Sequence, residues 1–202
     1  ACRRVDEHLA RLRLTLWPAT YEQSRYFTKF RSMRKLILNV AVSLDGFIEG
    51  PKGEYDWCFT DADYGMEEFL ARTDAIFFGR KSYELWASSF SNMWTDKKHY
   101  VFSNTLQTLP TEASLINGDI VPMVQQLKAQ AGKDIWLFGG ASLTTSLLNA
   151  GLIDEFQLAV HPVILGAGKP LFTGISKRNW LKLESCKPYE NGLIINKYSI
   201  VV

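Results

Sequence analysis

The sequence predicts one α/β domain of three layers, in which a mostly parallel central sheet is covered by helices on both faces. Short, mostly apolar runs, among them Leu36–Val42, Ala75–Phe78 and Ile135–Phe138, are typical of strands buried on both sides. Segments with helical spacing separate these runs, and this alternation indicates parallel strands joined by helices. The turn signal Asn191-Gly192 lies between the last two strands, so this C-terminal pair is predicted to be antiparallel.

The remaining elements follow from the same two periodicities. Apolar residues at helical spacing and apolar runs at strand length alternate along the rest of the chain. The predicted helices are Ala62–Arg72, Lys81–Trp86, Ile120–Ala131 and Leu143–Ala150. The further predicted strands are His99–Phe102, Ser114–Asn117, Glu155–Val160, Leu181–Lys187 and Leu193–Ile200. No internal repeat or low-complexity linker interrupts this series, which favours one domain.

Composition excludes several classes of protein. The 202 residues are 47% hydrophobic, which is enough for one sizeable core, and 22% charged, which is close to the globular average. No apolar run approaches the roughly 18 residues of a membrane span, and no signal peptide is recognised. The cysteines Cys2, Cys58 and Cys186 lie far apart, without a zinc or disulfide pattern. We therefore expect a cytoplasmic protein with no metal site and no membrane partner.

The first 32 residues differ from the rest of the chain. They carry seven basic and three acidic residues, which leaves the remainder with two more acidic than basic residues. The body therefore gives no reason to expect nucleic acid as a partner. A possible amphipathic helix at Val5–Trp17 ends at Pro18, and Met33 precedes the first convincing strand. We expect residues 1–32 to be a dispensable or non-native extension and residues 33–202 to be the functional domain; a targeting peptide is the alternative.

Two junctions between a strand and a helix carry the features of an anion site. At Gly139-Gly140, a strand passes into a helix, and free backbone N–H groups at the positive end of a helix dipole suit a phosphate. At Gly79-Arg80-Lys81-Ser82, two cations stand beside another helix start. Each junction alone is equally explained by a structural turn. Since ligands of α/β sheets bind at the carboxyl ends of the strands, a pyrophosphate-containing dinucleotide would use both junctions.

Asp45 is the candidate catalytic residue. It lies in the loop after the first strand, next to Gly46, where the carboxylate could hold a substrate hydroxyl or amine by a charge-assisted hydrogen bond. The alternative is a carboxylate that only caps the turn. His161 has no obvious Ser or Cys partner, so we interpret it as a structural histidine.

Five motifs occur together in an order that resembles one known group of proteins. They are SLDGFI (Ser43–Ile48), FGRKSYE (Phe78–Glu84), VFSNTL (Val101–Leu106), FGGASL (Phe138–Leu143) and DEFQLAVHPVILGAGKPLF (Asp154–Phe172). The chain resembles the dihydrofolate reductase-like superfamily over about residues 34–201. Within it, the closer likeness is to the C-terminal reductase domain of the bifunctional riboflavin biosynthesis protein (the RibD C-terminal domain). The deaminase signature P-C-x-x-C of that protein is absent, so the resemblance is to a stand-alone reductase domain.

The resemblance implies a fold, a cofactor and a set of contacts. It implies an eight-stranded sheet in a three-layer dihydrofolate reductase-like fold, NADPH as hydride donor and a homodimer. By the family pattern, Asp45 and Gly46 lie beside the nicotinamide and the substrate. The remaining implied cofactor-binding residues are Gly79, Arg80, Lys81, Ser82, Ser103, Asn104, Gly139, Gly140, Ala141, Ser142 and Leu143.

The activity implied by the resemblance is the NADPH-dependent reduction of a small heterocycle, similar to 5-amino-6-(5-phosphoribosylamino)uracil reductase. Many relatives place an arginine where this chain has Asn104, so we expect a weaker preference for NADPH over NADH. A pterin reduction like that of dihydrofolate reductase is the alternative, although none of Asp61, Asp63, Glu67 and Glu68 matches the acidic residue of that enzyme. A nucleotide-binding protein without turnover is the third hypothesis.

Overall fold

A computed structural model describes residues 33–109 and 112–201. The predicted extension, residues 1–32, lies outside the described part, so its dispensability stays a prediction. Within the described ranges, no helix is long and apolar enough to cross a membrane.

In the described residues, eight strands form one sheet, and two short strands pair separately. The strands are β1 Leu36–Ser43, β2 Phe47–Glu49, β3 Thr73–Gly79, β4 Lys98–Phe102, β5 Ala113–Ile116, β6 Asp134–Gly139, β7 Glu155–His161, β8 Lys169–Pro170, β9 Leu181–Pro188 and β10 Ile194–Ile200. The order in the large sheet is β5-β4-β3-β6-β1-β7-β10-β9, and β2 pairs with β8. All pairings from β5 to β7 are parallel, whereas β10 is antiparallel to both of its neighbours. The predicted α/β class and the antiparallel C-terminal pair are confirmed. Strands β2 and β8 were not predicted.

The described residues contain four α-helices. They are α1 Met66–Ala71, α2 Arg80–Ser89, α3 Ile120–Ala129 and α4 Ala141–Asn149. The prediction that the first helix begins at Ala62 was wrong. Tyr64 and Gly65 have φ angles of 52° and 83°, which is left-handed backbone that a right-handed helix cannot include.

The side chains of the central strands alternate between two cores, which is why the apolar runs are continuous. In β3, Ala75 and Phe77 join the core on one face, and Ile76 and Phe78 join the core on the other. The first core includes residues of α3 and α4, and the second includes residues of α1 and α2. Burying each large apolar side chain contributes about 1.5–3 kcal/mol relative to leaving it exposed. The sheet is therefore covered on both faces, as predicted.

Ion pairs occupy the edge of the sheet where the parallel strands begin. The Arg72 guanidinium lies 2.6 Å from the Asp134 carboxylate and 3.1 Å from that of Glu155, at the start of β3, β6 and β7. The buried ammonium of Lys128 lies 2.6 Å from Asp154, just before β7. These charged side chains pair with one another at the edge of the sheet where the parallel strands begin. The opposite edge, where the strands end, is where a ligand can approach.

Candidate functional site

A cavity of about 380 Å³ opens at the carboxyl ends of β3, β4, β5 and β6. It brings together most of the residues that the sequence singled out as cofactor-binding. Ten of them line it: Gly79, Arg80, Lys81, Ser82, Ser103, Asn104, Gly140, Ala141, Ser142 and Leu143. Gly139 is at the adjoining end of β6 but does not line the cavity, and Gly46 and Asp45 lie outside the lining.

The first wall of the cavity is the start of α2, where two cations follow Gly79. The Arg80 guanidinium lies 2.8 Å from the carboxylate of Glu84, one turn further along the helix, and both side chains are substantially exposed. Lys81 has no ion pair or side-chain hydrogen bond among the described residues. The helix start adds partial positive charge. This wall therefore presents one cation that is already paired and one that is available to an anion.

Gly79 is a glycine that the protein's own packing does not require. Its φ of −72° is ordinary for any residue. A Cβ atom there would lie 3.5 Å from the Gly139 carbonyl oxygen and 3.7 Å from Leu143 Cβ, which are normal contacts. Ser, Asp or Asn would cap the helix better than Gly, yet α2 has no side-chain cap. The missing side chain thus leaves the first N–H groups of α2 open to the cavity.

The second wall is the start of α4. Here the backbone angles explain why the two residues are glycines. Gly139 and Gly140 have φ angles of 122° and 63°, which disfavour any residue with a side chain. A Cβ at Gly140 would also lie 3.2 Å from the Ser82 hydroxyl oxygen. The starts of α2 and α4 therefore face one another closely. The turn alone explains this glycine pair, and its consequence is that two positive helix ends converge on one cavity.

Ser103 and Asn104 form the rim of the cavity after β4. The Ser103 hydroxyl accepts the backbone N–H groups of Thr105 at 3.2 Å and Leu106 at 3.1 Å, so it caps the turn. The Asn104 side-chain oxygen accepts the Gly118 N–H at 2.9 Å and ties the rim to the loop after β5. Both side chains hold the rim in shape, and the Asn104 amide brings no charge to it.

Asp45 is a tether between two loops in this structure. Its carboxylate accepts the Ser43 hydroxyl at 2.6 Å, the Leu165 N–H at 3.2 Å and the Gly166 N–H at 2.8 Å. The Ser43 hydrogen bond is the largest cause of the lowered pKa of Asp45; desolvation, the next largest effect, opposes it, and the N–H groups of Gly166 and Leu165 lower the pKa further. The adjacent Gly46 has a φ of 89°, and its carbonyl accepts the Leu171 N–H at 2.9 Å. These contacts agree with the turn-capping interpretation. The exposed Oδ2 atom accepts a hydrogen bond only from the Gly166 N–H among the described residues, so it can also accept one from a substrate.

The cavity also contains residues that sequence reasoning missed. Lys169 lines it from β8, and its ammonium lies 3.4 Å from the Glu49 carboxylate of β2. No local signal could have placed Lys169 here, because β2 and β8 are three and two residues long and 120 positions apart. The other missed lining residues are Phe102, Ile116, Ile120 and Ser146.

His161 has a structural role, as the sequence indicated. Its Nε2 accepts the Phe59 N–H at 3.1 Å, so its Nδ1 carries the proton and donates to the Ala159 carbonyl at 3.0 Å. The Trp57 ring packs edge-on against the imidazole, with 5.3 Å between the two ring centroids. Burial lowers the pKa of His161, against a smaller raising effect from the Ala159 hydrogen bond. The neutral ring pins the loop containing Phe59 to the end of β7.

Comparison with known proteins identifies the family. The family model of the RibD C-terminal domain matches residues 34–195. Protein YyaP of Bacillus subtilis (strain 168) is 45% identical over 173 residues, which are 80% of this chain and 92% of the relative. YwjB of the same organism is 34% identical over 163 residues, which are 77% of this chain and 92% of the relative.

Solved structures share the fold. One described as a riboflavin biosynthesis protein from Shewanella sp. PV-4 matches with a TM-score of 0.75 and 25% identity, over 83% of this chain and 99% of that one. The deaminase/5-amino-6-(5-phosphoribosylamino)uracil reductase of Thermotoga maritima has a TM-score of 0.66 and 14% identity, over 84% of this chain and 57% of that one. Dihydrofolate reductase from Enterococcus faecalis, complexed with NADP(H) and RAB-propyl, has a TM-score of 0.63 and 14% identity, over 83% and 97%. The chain belongs to the RibD C-terminal domain family and is a reductase-like domain with the dihydrofolate reductase-like fold.

Proposed function

We propose that this protein is an NADPH-dependent reductase that transfers hydride to a small heterocyclic substrate. The observation that carries the proposal is the cavity between α2 and α4. Two helix starts face each other there, and Arg80, Lys81 and Lys169 line the same space. Backbone N–H groups at helix starts together with cations are the donors that a pyrophosphate requires.

The residues of the cavity fit a phosphate-bearing nucleotide. Gly79 leaves the α2 start uncovered without any need from the protein's packing, and Lys81 has no anionic partner among the described residues. In this proposal the phosphates lie against α2 and α4, and Arg80 and Lys81 favour the additional phosphate of NADPH. Phe102 and Ile116 add apolar surface to the lining. NADPH, when bound, supplies the hydride.

The substrate end of the site is proposed to lie at the ends of β1 and β7. Asp45 stands there in a loop fixed by hydrogen bonds to Gly166 and Leu165. A fixed carboxylate can accept a hydrogen bond from a substrate hydroxyl or amine and so orient the carbon that receives hydride. The substrate class we propose is a ribosylamino-pyrimidine, because the Thermotoga maritima relative in fold is a 5-amino-6-(5-phosphoribosylamino)uracil reductase.

The acidic residues near α1 give no support to a pterin reductase. Asp63 accepts the N–H groups of Gly65 and Glu67, both at 2.9 Å, and so caps the start of α1. Asp61 accepts the Tyr64 hydroxyl. Glu67 and Glu68 are exposed. None of these carboxylates is buried, which is the usual way to hold a carboxyl group protonated for acid catalysis.

The proposed function is tested by calorimetric titration with NADP⁺ and NAD⁺, followed by NADPH oxidation assays with ribosylamino-pyrimidine and dihydropterin substrates. The expected result is binding of NADP⁺, preferred over NAD⁺, and turnover with the pyrimidine. Binding of NADP⁺ without turnover of any candidate would favour a nucleotide-binding protein. No binding of either nucleotide would reject the proposal.

A further inference from the structure

Lys169 reaches the cavity from a part of the fold that is separate from α2 and α4. It lies on β8, in the segment that follows β7, whereas the rest of the charged lining follows β3. Its ammonium lies 3.4 Å from the Glu49 carboxylate, and both side chains are about one third exposed. The cavity thus has a third cation, which comes from a different segment than Arg80 and Lys81 and has an acidic neighbour of its own.

The backbone around Lys169 is held by contacts that leave little freedom. Strands β2 and β8 pair with Glu49 opposite Lys169. The Leu171 N–H donates to the Gly46 carbonyl at 2.9 Å, just beyond this pair. At Gly168, a Cβ atom would lie 2.2 Å from the Glu49 carbonyl oxygen, so only glycine fits between the two segments. These contacts set the base of the Lys169 side chain, and its flexible end is what can move.

The ion pair between Lys169 and Glu49 is weak enough for Lys169 to exchange the Glu49 carboxylate for another anion. An exposed ion pair at 3.4 Å lies beyond ordinary hydrogen-bond distance and contributes roughly 0–1 kcal/mol. A phosphate group in the cavity offers several acceptor oxygens to which the ammonium can make shorter charge-assisted hydrogen bonds, of about 2.7–2.9 Å, than its 3.4 Å contact with Glu49. The ammonium therefore gains by leaving Glu49 when a phosphate is present.

We propose that Lys169 is a phosphate-binding residue of the cavity and that Glu49 restrains it in the absence of ligand. The proposal rests on the proposed function, since the phosphate it assigns is that of a nucleotide bound between α2 and α4. On binding, Lys169 exchanges the Glu49 carboxylate for a phosphate oxygen. Glu49 therefore weakens nucleotide binding by competing for Lys169.

The test is calorimetric titration of the full chain with NADP⁺ in four forms: wild type, Lys169→Met, Glu49→Gln and the double variant. We expect Lys169→Met to weaken binding by about tenfold, the low end for a hydrogen bond to a charged group. Glu49→Gln should strengthen it by roughly twofold to fivefold, the value of a surface ion pair. The double variant should behave like Lys169→Met, because Glu49 acts only through Lys169.

Lys182 and Glu184 provide the matched control, since they form an exposed pair on β9 at 3.2 Å. Lys182→Met and Glu184→Gln should leave NADP⁺ affinity unchanged. An unchanged affinity in Lys169→Met, or an equal effect of Glu49→Gln with and without Lys169, would overturn the proposal.

A second titration separates this inference from the function on which it rests. If the wild type does not bind NADP⁺, the proposed function fails, and the same four forms are titrated with inorganic pyrophosphate. The pattern described above, obtained with pyrophosphate, would still support Lys169 as a phosphate ligand. No response to pyrophosphate, or no binding of it, would overturn the inference as well.

Discussion

At the scale of single residues, Arg80 and Lys81 are neighbours in the chain with different surroundings. Arg80 is paired with Glu84 at 2.8 Å, whereas Lys81 is unpaired among the described residues. An arginine held in place by a carboxylate is positioned in advance for a second anion, although it is partly neutralised. Asn104, on the opposite rim, contributes no charge. In the proposed function, Arg80 and Lys81 are therefore the residues expected to favour NADPH over NADH.

We predict that Arg80→Ala weakens NADPH binding by about 1.5–3 kcal/mol, the range for a hydrogen bond to a charged group, and NADH binding by less. The measurement is a fluorescence titration of both cofactors. Glu84→Gln is the control, because it frees Arg80 without removing it and should not weaken NADPH binding. Equal losses for both cofactors in Arg80→Ala would show that Arg80 does not contact the additional phosphate.

For Asp45, the tethering role seen in the structure and the proposed catalytic role predict different effects of the same substitution. We predict that Asp45→Asn lowers kcat/KM by about 100-fold, the low end for a positioned acid–base group, and leaves NADPH affinity nearly unchanged. The reason is that the exposed oxygen of Asp45 has room for a substrate donor beside its contact with Gly166. Steady-state kinetics and a thermal melt on the same variant measure both effects.

Ser43→Ala is the matched control for Asp45, since the Ser43 hydroxyl is the largest contributor to the low pKa of that carboxylate. If Asp45 only tethers the loops, both variants should lower the melting temperature and keep normal turnover. That outcome would remove Asp45 from the catalytic site.

At the scale of elements, the two helix starts at the cavity use glycine for different reasons. Gly140 needs its positive φ, whereas Gly79 has ordinary dihedral angles and room for a methyl group. The sequence pattern of glycine at a strand end looks the same in both places. Of these two glycines, only Gly79 has no backbone reason to be glycine, and the nucleotide of the proposed function would supply one.

We predict that Gly79→Ala lowers stability by about 1 kcal/mol or less, the cost of a poorer helix cap. It should weaken NADP⁺ binding by about tenfold or more, because a methyl group then covers the first N–H groups of α2. Calorimetric titration and urea unfolding measure the two quantities. In the control, Gly140→Ala should lose about 1–3 kcal/mol of stability, because its φ of 63° and ψ of 142° are backbone angles that residues with a side chain rarely adopt. Full NADP⁺ affinity in a folded Gly79→Ala variant would contradict the ligand explanation.

At the scale of the whole molecule, two buried histidines couple stability to pH. Burial lowers the pKa of His99 and of His161, while backbone carbonyl hydrogen bonds oppose that shift. As pH falls through about 6.5, the ordinary histidine pKa, the unfolded chain binds protons that the folded protein does not. The free energy of unfolding must therefore decrease below that pH.

We predict that, between pH 7.5 and 5.5, each histidine lowers the free energy of unfolding by at most about 1.4 kcal/mol per pH unit. This pH range lies above the one in which carboxylates titrate. Urea unfolding at a series of pH values measures it. His161→Gln should reduce the pH dependence of the free energy of unfolding by the amount that His161 contributes. This reduction is expected whatever the effect of the substitution on stability at pH 7.5. An identical pH dependence in the variant would show that His161 contributes nothing to it.

The outer strand β9 is the feature that favours a homodimer. It is eight residues long, and all of its residues after Leu181 are exposed, including Leu183 at 52%. A long exposed edge strand is a surface that a second strand can pair with. We predict a dimer at micromolar concentration by light scattering. Leu183→Asp should dissociate it by placing like charges near the twofold axis, whereas a monomeric wild type would refute the prediction.

Local patterns were enough to predict the kinds of element and the loops that form the cavity. Mostly apolar runs predicted β1, β3 and β6 as doubly buried strands, because a strand covered on both faces has no polar side. The Asn191-Gly192 signal predicted the final hairpin, and the glycines with nearby cations predicted the two helix starts. The helical spacing over Ala62–Arg72 misled this reasoning about where the helix begins, since the left-handed backbone of Tyr64 cannot be recognised from the spacing of apolar residues.

Contacts between distant parts of the chain were beyond that reasoning. The placement of β6 between β3 and β1, the pairing of Glu49 with Lys169, and the hydrogen bonds of Asp45 to Leu165 and Gly166 all join segments far apart in the sequence. Periodicity reports which side of an element is buried, but not which element covers it. That choice depends on how all the layers pack at once, which is why Lys169 and the tethering role of Asp45 emerge only when the chain is folded.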